Sequence, residues 1–111
     1  MDDTINSNMS AGKTDDDLGK VGHRVVFENE RVRIWQMALE PGESSDYHEH
    51  ENDYVMCIVE GESIDADFNS GQTIQIPVEP GKAIFVPAGN KEVAVNRSDK
   101  RFREVLIELK D

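Results

Sequence analysis

Two histidines one residue apart, His48 and His50, stand in a stretch dense in acids and turn residues, Gly42-Glu43-Ser44-Ser45-Asp46-Tyr47-His48-Glu49-His50-Glu51-Asn52-Asp53-Tyr54. On an extended strand, residues two apart project to the same face, about 6.6 Å apart along the chain. Two imidazoles placed that way can converge on one ion, and zinc and similar metals take imidazole nitrogens at about 2.0–2.1 Å. A His-x-His pair also arises on ordinary surfaces, so the pair needs support from its surroundings. Glu49 and Glu51 have the opposite parity and are expected outside, where they raise the local cation concentration through the long-range field. Tyr54 shares the parity of His48 if no bulge intervenes, so its phenol can meet a metal-bound water or a substrate, or ligate as phenolate. His23 lies apart from this stretch and is expected to be exposed.

The elements that must position these groups read as short strands. After His23, β-rich segments are expected at Arg24 to Glu28, Val32 to Leu39, Asp46 to His50, Tyr54 to Glu60, Ser63 to Phe68, Thr73 to Pro77, Ala83 to Val86, Glu92 to Arg97 and Phe102 to Leu109. Turn chemistry separates them, as at Pro41-Gly42, Asn69-Ser70-Gly71, Pro80-Gly81 and Pro87-Ala88-Gly89. No segment carries a helical pattern. So many strands in a flat sheet would leave exposed edges, and closing them into a barrel removes that liability. Both parities are apolar from Tyr54 to Val59, which predicts a strand covered on both sides, with the single cysteine, Cys57, buried. In the last strand Val105, Ile107 and Leu109 alternate with Glu104, Glu108 and Lys110, which predicts a buried apolar face and a mostly wet acidic one, with Leu106 breaking the period. Trp35 is expected in the core or at a dimer interface. By the same alternation Val93 and Val95 would be buried and Glu92 would face solvent.

The residues before about Gly22 are mostly Asp, Ser, Asn, Thr, Gly and Lys, so 1–22 is expected to be a disordered polar tail and 23–111 one domain. Asp15-Asp16-Asp17 in that tail is expected to be solvated rather than a cation site. A net charge of −11 excludes phosphate-backbone partners, which need clustered Lys and Arg, and disfavours anionic membranes. No apolar run approaches the roughly 20 residues that span a bilayer, and Met1-Asp2-Asp3-Thr4 lacks the basic and apolar start of a signal peptide. A cytoplasmic protein is therefore expected. No Gly-rich phosphate loop precedes a helix, and no motif sets a serine against His48 or His50, so any catalysis should run through an ion.

The order of these residues resembles the cupin superfamily. Its first motif, G-x5-H-x-H-x3-4-E-x6-G, is matched by Gly42, His48, His50 and Gly61, with Tyr54 where the glutamate is expected. Its second, G-x5-P-x-G-x2-H-x3-N, is matched by Gly81, Pro87, Gly89 and Asn96, with Glu92 where the histidine is expected. The segments Asn29-Glu30-Arg31-Val32-Arg33, Asp53-Tyr54-Val55 and Ile107-Glu108-Leu109-Lys110 look like small single-domain cupins of the β-alanine degradation protein type. The resemblance implies an all-β double-stranded β-helix, or jelly-roll, barrel that forms a homodimer. The apolar residues of Val25 to Phe27 and Trp35 are the places to look for its interface. It transfers His48 and His50 as ligands and turns position 92 inward, so that His48, His50 and Glu92 would hold one divalent transition metal ion (Fe, Ni, Mn or Zn). The function it implies is a metal-dependent oxygenase, isomerase or lyase acting on a small molecule, with Glu92 or Tyr54 handling protons. A non-catalytic binding module and a metal-free barrel remain as alternatives.

Overall fold

The computed structural model describes residues 18–110. Among them are nine strands and no helix: β1 (Arg24–Glu28), β2 (Val32–Leu39), β3 (His48–Glu49), β4 (Tyr54–Glu60), β5 (Ser63–Phe68), β6 (Thr73–Pro77), β7 (Ala83–Val86), β8 (Lys91–Val95) and β9 (Phe102–Leu109). They form two antiparallel sheets, one of five strands in the order β1-β2-β9-β4-β7 and one of four in the order β3-β8-β5-β6. The all-β barrel expected from the turn spacing is therefore what the chain builds. The sheets face each other across the core, where Trp35, Met37, Leu39, Tyr54, Met56, Ile58, Ile64, Ala94, Phe102 and Leu106 are buried. One inner row runs Trp35–Leu106–Met56–Ile84 across β2, β9, β4 and β7. Burial of each such side chain contributes roughly 1.5–3 kcal/mol.

Register decides which face of each strand is inside, and it reverses one expectation. In β9 the buried positions are Phe102, Glu104, Leu106 and Glu108, while Val105, Ile107 and Leu109 are half-buried on the outside. Phe102 and Leu106 share the parity of the two glutamates, and pairing with Met37 and Ile58 fixes that parity toward the core. Alternation within one strand cannot report this, because the outer face is apolar too. Tyr54 to Val59 departs in the same way. Tyr54, Met56 and Ile58 are buried, but Val55 and Cys57 are half-buried and Val59 is 43% exposed. Nothing among the described residues covers that side of the five-stranded sheet. Trp35 resolves to the core, its Nε1 donating to the Glu108 carboxylate at 2.5 Å.

The expected tail boundary at Gly22 also shifts. Residues 1–17, with Asp15-Asp16-Asp17, lie outside the described residues, but Leu18 to Gly22 pack on the barrel. Gly19 N–H donates to the Tyr47 carbonyl at 2.7 Å, Val21 joins the core, and Leu18 packs against Tyr47, Val93 and Val95. Strand β3 is shorter than Asp46 to His50, because its flanks bond outside a regular ladder: Ser45 N–H donates to the Ala94 carbonyl and His50 N–H to the Asn90 carbonyl. Strand β8 stops at Val95 because Asn96 turns the chain. Its fully buried amide donates to the Leu39 and Lys100 carbonyls at 2.9 and 2.8 Å and accepts from the Ser98 N–H and hydroxyl.

Candidate metal centre

His48 enters the core because β3 pairs with β8, which sets His48 opposite Glu92, with Phe68 of β5 on the far side of Glu92. The local hydrogen bonds then orient its ring. Nδ1–H donates to the Asp46 carbonyl at 2.8 Å, which leaves Nε2 without a proton and facing His50. His50 follows one pleat on. Its carbonyl accepts from the N–H of Gly89, whose φ of +117° only glycine adopts without strain. The His50 ring is held by stacking on Tyr54, with centroids 3.8 Å apart and planes 17° from parallel. Its Nδ1 is buried with no hydrogen-bond partner. Tyr54 comes from β4 in the other sheet, so the centre lies between the two layers.

The two Nε2 atoms face each other at 3.0 Å, and Glu92 Oε2 lies 3.8 Å from one and 3.9 Å from the other. All three groups are buried, and one donor atom from each falls within 4.8 Å of the others. Two nitrogens bound to one ion at about 2.0–2.1 Å and at right angles would stand about 2.9 Å apart. The spacing of this pair fits that requirement. A two-histidine, one-carboxylate donor set is also the kind that binds non-haem iron and leaves coordination positions open. The sequence alternation that would expose Glu92 fails because β8 is buried on both faces. Val93 and Val95 are covered on the outside by Tyr47 and Leu18, so Glu92, Ala94 and Asn96 take the inside.

Burial sets the protonation of the site. It holds the His48 imidazole below its ordinary value, and it pushes His50 down to about 3 with the help of His48. Both rings are thus neutral near pH 7, the form that ligates, and their contact with Glu92 is not an ion pair. Burial raises Glu92 to about 7, and it raises the Tyr54 phenol further, together with the charges of Glu92 and Glu104. In the metal-free chain the phenol therefore keeps its proton and can donate a hydrogen bond. Glu49 is half-buried and Glu51 exposed, outside the cluster as expected, and Asp46 and Asp53 are exposed as well. His23 is also exposed, its Nδ1 accepting from Ala38 N–H at 3.4 Å.

The three donors open onto a cavity of about 200 Å³ between the sheets, walled mainly by Met37, Met56, Ile64, Phe68, Ile76 and Leu106. Three polar residues on this wall, Asp65, Asn90 and Glu104, escaped the sequence reading. Glu104 is fully enclosed, and burial together with the nearby Glu92 charge pushes its carboxyl up to about 8. Its glutamate-valine alternation pointed to solvent, and only the Phe102 and Leu106 parity could have signalled otherwise. Arg97, just past the end of β8, reaches back to the buried carboxylates of Asp65 and Asp67 at 2.9 and 2.6 Å.

Comparison with known proteins places this architecture. A cupin domain from Bordetella pertussis Tohama I is similar over 79% of this chain and 91% of its own, with 27% identity and a TM-score of 0.72. A cupin superfamily protein from Desulfitobacterium hafniense DCB-2 is 25% identical over 79% of this chain and 75% of its own, with a TM-score of 0.60. The polyketide cyclase RemF from Streptomyces resistomycificus shares the fold at 22% identity and a TM-score of 0.58, over 79% of this chain and 63% of its own. No curated protein matches. The family model for the cupin domain matches residues 35–108, a span that holds both motifs and all three candidate ligands, and the chain belongs to that family.

Proposed function

We propose that the protein is a metal-dependent cupin enzyme, an oxygenase, isomerase or lyase acting on a small molecule held in the cavity beside His48, His50 and Glu92. The observation that carries this reading is the convergence of three buried donor atoms within 4.8 Å at the wall of a cavity between the sheets. His48 and His50 would hold a divalent transition ion (Fe, Ni, Mn or Zn) through Nε2, and Glu92 through Oε2. When bound, the ion polarises a substrate oxygen or activates dioxygen. Glu92, held near neutrality by burial, is also placed to accept or return a proton, and the protonated Tyr54 phenol to donate a hydrogen bond.

A non-catalytic binding module is the second reading. It is favoured by Tyr54 and Glu92 standing where the cupin motifs have glutamate and histidine. Untagged protein supplied in turn with iron, nickel, manganese and zinc should retain one equivalent of at least one of them, and His48→Ala should retain none. Failure of every metal to bind the parent protein would sink both readings in favour of a metal-free barrel. If metal binds, turnover in a small-molecule screen that is lost in His48→Ala separates the enzyme from the module.

The same proposal includes a homodimer in the cytoplasm. A single cysteine with no partner fits a reducing compartment. The outer face of the five-stranded sheet carries one apolar row across every strand, Phe27–Ile34–Ile107–Val55–Phe85, with Phe27 52% and Phe85 58% exposed. Contiguous apolar surface of this kind marks interaction sites. Sedimentation should give a dimer for the parent protein and a monomer for Phe85→Glu; a monomeric parent protein would refute it.

A further inference from the structure

The polar groups of the cavity do not end at the histidines. Glu104 reaches it from β9, paired with Met37 of β2 on one side and Ile58 of β4 on the other. Tyr54, which stacks on His50, pairs with Glu108, so the Glu104 backbone lies four residues along the strand from that end, about 13 Å, while its carboxyl is near enough for charge to couple it to Tyr54 and Glu92. It is 3% exposed and lines the cavity, and its Oε1 is buried without a hydrogen-bond partner. Glu108, on the same face of the same strand, is a satisfied counterpart: its carboxylate accepts from Trp35 Nε1–H and Asn52 Nδ2–H. Most of the remaining lining is apolar, with Met37, Met56, Ile64 and Leu106 in it, while Asp65 adds a second buried carboxylate whose Oδ1 also has no hydrogen-bond partner. A buried carboxyl left unsatisfied carries the full desolvation penalty, which a bound partner removes.

The geometry points to Glu104 as a second recognition group of the cavity, one that receives a hydroxyl on a small, otherwise apolar ligand. This inference rests on the reading of the cavity as the ligand site. A hydroxyl suits the position because it donates to a carboxylate oxygen and can also accept from a protonated carboxyl, so either form of Glu104 is satisfied. An anionic group is disfavoured there, since no Lys or Arg lines the cavity. A volume of about 200 Å³ sets the size. An apolar cavity of about 150 Å³ accepts benzene, so this one takes a single ring or a comparable aliphatic body with one or two substituents. A hydrocarbon of the same shape would leave Glu104 unpaired, the situation in which buried polar groups discriminate most strongly.

The test compares benzyl alcohol with toluene as probes, by calorimetry and ligand-observed NMR, on the full chain kept metal-free with a chelator. Transfer from water alone favours toluene, so a preference for the alcohol needs a polar partner inside. Benzyl alcohol should bind at least tenfold more tightly than toluene. Glu104→Gln, which keeps a donor and an acceptor, should retain that preference, and Glu104→Leu should reverse it. If Glu104→Leu does not fold, the carboxyl carbon shift of Glu104 in the parent protein gives the answer, because it should move with benzyl alcohol and not with toluene. Equal binding of the two probes, binding of neither, or an unchanged preference in Glu104→Leu would overturn the assignment. Because the probes are read without metal, failure to take up metal would refute the metal reading and leave this result standing.

Discussion

Glu104 has a measurable consequence for folding that is separate from any ligand. In metal-free protein its carboxyl titrates at about 8, against 4.5 for an unperturbed glutamate, and the main cause is burial. Between those values the folded state holds a proton that the unfolded chain has released. Stability therefore falls as pH rises, by one factor of ten in the folding constant per pH unit, and the loss is complete once pH passes the folded value. Over the whole span the loss is about 5 kcal/mol, a large share of the 5–15 kcal/mol typical of a domain. Glu104→Gln keeps the shape and cannot ionise. Urea unfolding of both proteins with chelator present, from pH 5 to pH 9, reads the effect of Glu104 together with its coupling to Glu92, because the difference between them cancels the titrating groups that do not interact with Glu104. The parent protein should lose stability relative to Glu104→Gln steadily up to about pH 8 and no further. A difference that stays flat across this window would show that the carboxyl reaches solvent when ionised, and would refute its enclosure.

Metal affinity should carry the opposite dependence. Glu92 titrates at about 7 and must shed its proton to ligate, so apparent affinity should weaken about tenfold per pH unit below 7 and level off above it, as read by competition with a chromophoric chelator. Asn96→Ala removes the donors to the Leu39 and Lys100 carbonyls and should cost about 2–4 kcal/mol in urea unfolding, while leaving metal stoichiometry unchanged. Arg97→Ala deprives the buried Asp65 and Asp67 of the guanidinium bonded to them and should cost about 3 kcal/mol, part of which Asp67→Asn in the same chain should restore.

The sequence was sufficient for whatever depends on local spacing. The turn residues bounded seven of the nine strands to the residue, because glycine, proline and asparagine act on the backbone where they stand. His48 and His50 were legible for a similar reason, since parity on one strand follows from the pleat alone. Which face of a strand is inside is a different kind of property. It depends on what neighbouring strands present, and three positions show how. Glu92 turns inward because Tyr47 and Leu18, remote in sequence from β8, cover the valines on its other side. Glu104 is enclosed because pairing with β2 and β4 fixes β9 in the parity of Phe102 and Leu106, against the apolar alternation of the strand itself. Tyr54 lies against His50 because two sheets close over each other, an encounter that no spacing along the chain encodes. The chain alone thus determined the strands, the family motifs and the histidine pair. The tertiary structure decided what stands opposite them, because burial and register are set by partners distant in sequence.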